Sequence, residues 1–344
     1  MISGEVMANT NTYYADVVVI GGGPAGTTVA SLLVEKGYSV CLLEKSHHPR
    51  FHIGESLLPL NMPILEQLGV LDAVQKIGVI KYAAEFNSTI SKHQQDIFYF
   101  SKAIENRYPH AFEVKRAEFD KILFDNAKAK GVKTFEGVKV NDVDLSGENK
   151  RVFAVDEQAQ SLIFEGRYVI DASGRDTFLA NKLKLKQRNP NHQMTAVYGH
   201  FKHVERRAAK DEGNISIYWF NQGWIWLIPL ADDVMSVGVV CYPEYLKNRA
   251  GSLEDFFFET LHSIPEIQTR MNTAELISEI KATGNYSYQS SKMAGEGYLL
   301  IGDAYAFVDP VFSSGVYLAM KSAVLAADLV DSQLSESENS AMQF

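Results

Sequence analysis

The chain has 344 residues, with 33 Lys plus Arg against 42 Asp plus Glu for a net charge of −9, and it is 46% hydrophobic and 22% charged. At roughly 150 residues per domain this is about two domains, and the balance excludes a disordered, collagen-like or disulfide-stapled chain. The acidic excess argues against a nucleic-acid partner, which would need a basic face.

The amino terminus, MISGEVMANTNTYY, has neither a basic n-region nor an apolar h-region, so no signal peptide is expected. Met7 is an alternative start that would leave the first six residues as a dispensable tail. From Val17 to Val34 the chain runs 18 residues without a charge, the length of a membrane span. Gly21, Gly22, Gly23, Pro24 and Gly26 interrupt that run, and no stable spanning helix is built this way. Strand, turn and buried helix are expected instead, in a soluble cytoplasmic protein with no membrane partner. Cys41 and Cys241 sit in apolar, strand-like runs without metal-ligand spacing. They read as buried free thiols in a reducing compartment and give no zinc site.

ADVVVIGGGPAG is a β-branched run feeding a glycine turn, followed by the helical TTVASLLVEKG with Gly37 as C-cap and the strand YSVCLLEK ending at Glu44. Gly21, Gly23 and Gly26 form G-x-G-x-x-G. Gly21 makes the tight turn, Gly23 lets a pyrophosphate approach the backbone, and Gly26 lets the helix pack on the strand. The helix N-terminus then faces the phosphates. Glu44, 23 residues after Gly21, is placed to bind an adenosine ribose 2′-hydroxyl and disfavours a 2′-phosphate. This unit alone does not separate FAD from NAD.

The loop FHIGESLLP carries Gly54, Glu55 and Ser56, and IKYAAEF puts Lys81 at the start of a strand with Glu85 on the same face at i+4. EVKRAEFDKILFDNAKAKGV reads as an amphipathic helix with Arg116 near its start and Phe119, Leu123 and Phe124 on its apolar face. RYVIDASGRDT is a strand ending at Asp171, Ala172, Ser173 and Gly174. The segments AAEFNSTI, QDIFYF, MTAVYGHFK, NISIYWF, WIWLIPL and MSVGVVCY predict a mostly antiparallel sheet roofing a cofactor, followed by the helical SLEDFFFETLHSI. In GWIWLIP, period-2 spacing puts Trp224, Trp226 and Ile228 on one strand face, and Pro229 ends that strand or marks an edge. EGYLLIGDAYAFVDPVFSSGVYLAMKSAVLAADLV is a strand ending at Gly302 and Asp303, a proline-containing loop, and a long helix entered near Ser314. The free N–H groups and dipole of that helix start would stabilise a negative charge.

Together, G-x-G-x-x-G, V-x-R-x-x-F-D (Val114, Arg116, Phe119, Asp120) and the late Gly302-Asp303 pair resemble a large family of FAD proteins. That family includes aromatic hydroxylases, geranylgeranyl reductases and flavin-dependent halogenases. W-x-W-x-I-P at Trp224, Trp226, Ile228 and Pro229, the spacing of Phe307, Pro310, Ser313 and Gly315, and the FHIGESLLP loop are similar to the halogenase branch. The resemblance runs from about Ala15 to Val330.

It implies an α/β fold, a Rossmann-type FAD-binding domain with a mostly antiparallel β-sheet substrate domain. It implies FAD binding by Gly21, Gly23, Ala25, Gly26, Glu44, Lys45, Ser56, Arg116, Asp171, Gly302, Asp303, Ser314 and Gly315. Halide would sit at Ser313, Ser314 and Gly315. Trp224 and Trp226 would wall the organic substrate off from the flavin, and Lys81 would be the catalytic lysine. It would carry the halogen as a haloamine or hydrogen-bond hypohalous acid, with Glu85 a candidate base for the final proton. The implied reaction takes reduced FAD, supplied by a separate flavin reductase or formed in place, together with dioxygen and chloride or bromide. It halogenates a small electron-rich aromatic, a phenol or pyrrole, free or tethered to a carrier protein.

The expected FAD domain is discontinuous, over 14–80, 108–187 and 281–335, with the substrate domain at 81–107 and 188–280 and tails at 1–13 and 336–344. Halogenases of this type continue beyond the final helix to cover the substrate. The polar end SESENSAMQF is therefore expected to mark a minimal or shortened member, or a pocket closed by a partner. Two other readings stand beside the halogenase: an FAD-dependent monooxygenase or geranylgeranyl-reductase-like enzyme without halide chemistry, and a flavin-binding protein without turnover.

Overall fold

A computed structural model describes residues 11–90, 94–104, 107–190, 193–284 and 287–341. Its centre is a six-stranded sheet in the order Ala294–Gly295, Tyr298–Leu300, Tyr168–Asp171, Val17–Ile20, Val40–Leu43, Lys133–Phe135. All neighbours are parallel except the Ala294–Gly295 edge. The strands VVVI and VCLL are buried along their whole length. Near-continuous apolar runs are what a sheet covered on both faces requires. One face packs on the helices Pro24–Glu35, Arg116–Ala129 and Gly315–Ala341, through Val29, Leu33, Phe119, Leu123 and Met320. The other face packs on a four-stranded sheet through Val18, Cys41, Val152 and Phe164.

A second, eight-stranded sheet unites every segment expected of the roof. It runs Glu275–Leu276, Thr195–Lys202, Val234–Cys241, Gly223–Leu230, Ile215–Phe220, Ala83–Ser88, Gln94–Tyr99, with Lys281–Gly284 also paired to Thr195–Lys202. Ile215–Phe220 with Ala83–Ser88 is its parallel pairing. Alternation divides its faces. Ile225 and Leu227 pack outward under the helix Leu253–His262, whose N-terminus Ser252 caps through a capping box with Asp255. Trp224, Trp226 and Ile228 face inward. Pro229 sits where pairing with Ile215–Phe220 has already stopped at Leu227, so its missing N–H faces a local edge.

Three expectations need correction. Residues 11–13 are no tail: Asn11–Tyr14 forms a strand parallel to Ser161–Gly166. The final helix runs through the expected tail to Ala341. The boundary at 280/281 cuts the eight-stranded sheet, because Lys281–Gly284 hydrogen-bonds to Thr195–Tyr198. Met7 and residues 342–344 lie outside the described residues. Both cysteines are free and buried, and no helix among the described residues is long and apolar enough to cross a membrane.

Candidate active site

A cavity of about 740 Å³ lies between the carboxyl ends of the parallel strands and the inner face of the large sheet. Ligands of open α/β sheets bind at those strand ends. At one end it is lined by Gly21, Gly23, Ala25, Glu44 and Lys45, in the middle by Ser56, Arg116 and Asp303, and at the other by Trp224, Trp226, Ser313 and Gly315.

At the dinucleotide end, Gly21 has φ +106° and packs on the Ala172 carbonyl, where a Cβ would overlap. A Cβ on Gly26 would overlap the Gly21 carbonyl oxygen, so strand and helix meet backbone to backbone. At Gly23 the nearest atom to a Cβ would be Arg50 Nη2 at 3.7 Å, which leaves open backbone facing the cavity. Glu44 Oε2 accepts the Gly22 N–H at 2.9 Å and pairs with Arg50 Nη2 at 3.2 Å, while Oε1 accepts the Ser46 N–H at 2.9 Å. Burial opposes its charge, yet Arg50 and these N–H groups hold the carboxyl below its ordinary range. Three of its four lone-pair sites are used, and Oε1 keeps one for a ribose hydroxyl. Lys45 is paired with Asp176.

In the middle, Arg116 is clamped along the cavity wall. Its Nε and Nη2 donate to the two oxygens of Asp120 at 2.8 and 3.0 Å, and Nη1 donates to the Ile53 carbonyl at 2.9 Å. Arg50 Nη1 reaches the same Asp120 at 2.8 Å. Burial pushes Asp303 up to about 6, against the pull of Arg116 and Arg175. Burial, then Arg116 and Arg50, pushes His52 down to about 4, so a neutral imidazole lines the cavity at neutral pH.

At the far end the two indoles pack 5.8 Å apart, both buried. Trp226 Nε1 donates to Ser236 Oγ at 3.1 Å, whereas buried Trp224 Nε1 has no partner among the described residues. Gly238 is directly across from Trp226, and a Cβ there would overlap the indole. Ser313, in the left-handed region at φ 56°, donates to Ser56 Oγ at 3.1 Å.

Lys81 is fully buried just behind this wall. Its Nζ donates to Ser56 Oγ at 2.7 Å and to the Leu57 carbonyl at 3.2 Å, stands 3.8 Å from Glu113 Oε1, and lies 5.5 Å from the Phe100 ring centroid. It ends the short strand Val79–Lys81, paired with Ala111–Glu113, rather than starting the next one.

Four expected residues stand elsewhere. Asp171 does not line the cavity; its carboxylate accepts the N–H groups of Ser173 at 2.9 Å and Leu179 at 2.7 Å and so caps the turn after its strand. Gly302 lies behind Asp303, donates its N–H to Ser322 Oγ at 2.9 Å, and packs on the final helix near Ala319. Ser314 gives its carbonyl to the Leu318 N–H at 2.9 Å at the helix start and does not line the cavity. Glu85, expected on the face of Lys81, lies on a strand of the other sheet beyond the break at Tyr82. It is instead enclosed by Arg207, Asn87, Gln95 and Ser216.

Arg50, His52, Gly238 and Glu113 were not singled out in the sequence. Gly238 had a signal, an isolated glycine inside the β-branched run MSVGVVC that marks a close approach. The other three acquire meaning only from partners distant in sequence.

The backbone cradle at Gly21 and Gly23, the strand-end carboxylate and the length of the cavity fit an FAD molecule. The FAD binding domain family matches residues 14–341. A tryptophan 2-halogenase of Chondromyces crocatus is 38% identical over 92% of this chain and 61% of its own length. The 1H-pyrrole-2-carbonyl-[peptidyl-carrier protein] chlorinase of Pseudomonas fluorescens is 31% identical over 92% of this chain and 76% of its own. Among solved structures, the myxobacterial chondrochloren halogenase CndH superposes with a TM-score of 0.89 at 34% identity, over 94% of this chain and 76% of that one. The chain thus spans between about three-fifths and three-quarters of the length of these relatives. Its fold, its FAD cavity with the paired indoles, and these likenesses make the chain a member of the flavin-dependent halogenase family.

Proposed function

We propose that the protein turns halide into hypohalous acid and directs the electrophilic halogen, through Lys81, onto an electron-rich aromatic of phenol or pyrrole type. Dioxygen would supply the oxidising equivalents, taking two electrons from halide and two from reduced FAD provided by a separate flavin reductase, so that one oxygen atom leaves in hypohalous acid and the other as water. The observation that carries the reading is the division of the site. Trp224 and Trp226 fill the sheet end of the cavity, and Lys81 stands one hydroxyl behind it, on Ser56. Indoles in that space would crowd an arene beside the cofactor, while a halide ion needs little room.

Ser313 and Gly315 line the cavity where the 27-residue helix begins. Free N–H groups and the positive end of the dipole favour an anion there. On its outer side Lys81 is covered by Phe100, whose ring meets the exposed Phe98 edge-on at 6.4 Å. An aromatic substrate, free or carrier-tethered, would meet Lys81 from that side. Burial also pushes Lys81 down from its ordinary range, and a neutral amine is the nucleophilic form.

The test is the halogenation of monochlorodimedone by purified protein given reduced FAD, air and chloride or bromide, with catalase as control. Halide-dependent signal that survives Lys81→Ala is expected, because the oxidant forms upstream of that residue. Bound FAD without signal for either halide would favour a monooxygenase or reductase, and a chain that retains no FAD would overturn the reading entirely.

A further inference from the structure

Among the described residues, the pair formed by Lys81 and Glu113 is built unlike the other ion pairs. Both side chains are fully buried, with Lys81 Nζ 3.8 Å from Glu113 Oε1. Two antiparallel pairings hold them: Val79–Lys81 runs against Ala111–Glu113, and Ser56 bridges to Glu113. Lys81 spends two of its protons on Ser56 Oγ and the Leu57 carbonyl. Neither oxygen of Glu113 has a close hydrogen-bond partner among the described residues, although Ser56 and Lys81 stand near enough to pull its carboxyl down. A buried carboxylate kept only for stability would be expected to have its lone pairs satisfied, and an apolar or amide side chain of like size would cost less.

We propose that Glu113 is the proton partner of Lys81, a positioning residue that takes the ammonium proton and leaves a neutral amine facing the oxidant. The inference rests on the halogenase reading for the use made of that amine. The 3.8 Å gap is bridged by Ser56: one N–H bond of Lys81 breaks as Ser56 Oγ takes its proton, and the Ser56 O–H bond breaks as one O–H bond of Glu113 forms. The electron pair of the broken N–H bond stays on Nζ, and the pair passes from ammonium–carboxylate to amine–carboxylic acid with no change in net charge. Nothing leaves the interior, so the exchange avoids burying a new charge.

The surroundings favour such an exchange. Burial pushes Glu113 up to about 7, against the pull of Lys81 and of Ser56, and Glu55 adds like-charge repulsion. Burial pushes Lys81 down, against the pull of Glu113. Among the described residues, Lys81 and Glu55 are the charged groups that reach Glu113; the strand Gly223–Leu230, which packs on Ala111–Glu113, carries none. When two groups interact this closely the proton belongs to the pair. Arg116–Asp120, the other buried pair nearby, is saturated by two hydrogen bonds and cannot act this way.

The deciding measurement is infrared titration of the carboxylic-acid carbonyl stretch in the purified chain, from about pH 5 to about pH 9. Part of one buried acid band should remain unchanged through neutrality in the wild type, because the proton is shared within the pair, and the band should be absent in Glu113→Gln. In Lys81→Met it should instead titrate away completely with a single midpoint shifted above the ordinary carboxyl range, because no amine remains to share the proton. The Lys81→Met shift and the wild-type band test the idea even if Glu113→Gln fails to fold. No protonated carboxyl assignable to Glu113 anywhere in that range would overturn the proposal. Monochlorodimedone turnover is read in parallel on the same wild-type protein. Its loss with the band intact would sink the halogenase reading and leave the proton pair standing.

Discussion

Glu44 and Glu113 are both buried glutamates, one at the dinucleotide end of the site and one behind the lysine, and their surroundings treat the charge in opposite ways. Glu44 sits among N–H groups from Gly22 and Ser46 and the guanidinium of Arg50. Its charge is stable, and it can serve as a fixed acceptor. Glu113 has a single cation at 3.8 Å and no close donor among the described residues, so its charge is marginal. The dinucleotide end is made of backbone and saturated charges, as binding of a large cofactor requires. The lysine end holds a labile proton, as chemistry requires.

The largest expected effect tests whether backbone packing builds the dinucleotide end. Gly26→Ala drives a methyl group into the Gly21 carbonyl. It should cost about 1–3 kcal/mol of stability and abolish retention of FAD, read by thermal melting and by flavin absorbance of the purified protein. Wild-type flavin content in this variant would break the comparison at its first end.

The two glutamates should next part company on substitution. At about pH 8, Glu44→Gln should lose about 2 kcal/mol of stability with weaker FAD binding, since it removes the charge facing Arg50 and sets an NH2 donor where one oxygen accepted. Glu113→Gln should lose less, because Lys81, already pushed down by burial, can shed its proton once the carboxylate is gone. Equal losses in denaturant titrations would refute the contrast.

The pH dependence sharpens it further. Glu113 is raised from 4.5 to about 7, so unfolded chains ionise first as pH rises. Stability relative to Glu113→Gln should therefore be greatest below about 4.5 and decline up to about 7. Glu44 is lowered, so its contribution is present above 4.5 and is lost as pH falls below that value through its depressed native range. Urea unfolding of the two variants and the wild type across this range would show slopes of opposite sign.

The smallest effect concerns the indoles. Trp226→Phe gives up the bond to Ser236 and should cost about 1 kcal/mol more than Trp224→Phe, whose Nε1 is already unpartnered. Denaturation midpoints would measure the difference, and a reversed order would mean that Trp224 meets a partner in solution.

Much of this site was legible in the residue order. The glycine turn, the strand-end acid and the period-2 indoles depend on local chain geometry: a positive φ at Gly21, alternation along Gly223–Leu230, a helix beginning after Ser313. Local spacing encodes such features directly. Lys81 was found by its motif, but its strand was misjudged, because a break at Tyr82 follows from pairing with Ala111–Glu113, 30 residues away. Two expected cofactor ligands do not line the cavity for a related reason. Asp171 and Gly302 end the right strands, yet whether such a residue faces the ligand or holds the turn depends on one rotation about the strand axis.

The sequence by itself determined the fold class, the cofactor and the branch of the family, since each rests on short motifs whose physics lies in contiguous backbone. The tertiary structure decided which charges are usable. It brought Arg50 to Glu44 and Asp120, set Gly238 beneath Trp226, and enclosed Glu113 with Lys81 away from other donors. Burial and distant partners set the cost of a charge, and neither can be read from the identity of a residue or its neighbours in the chain.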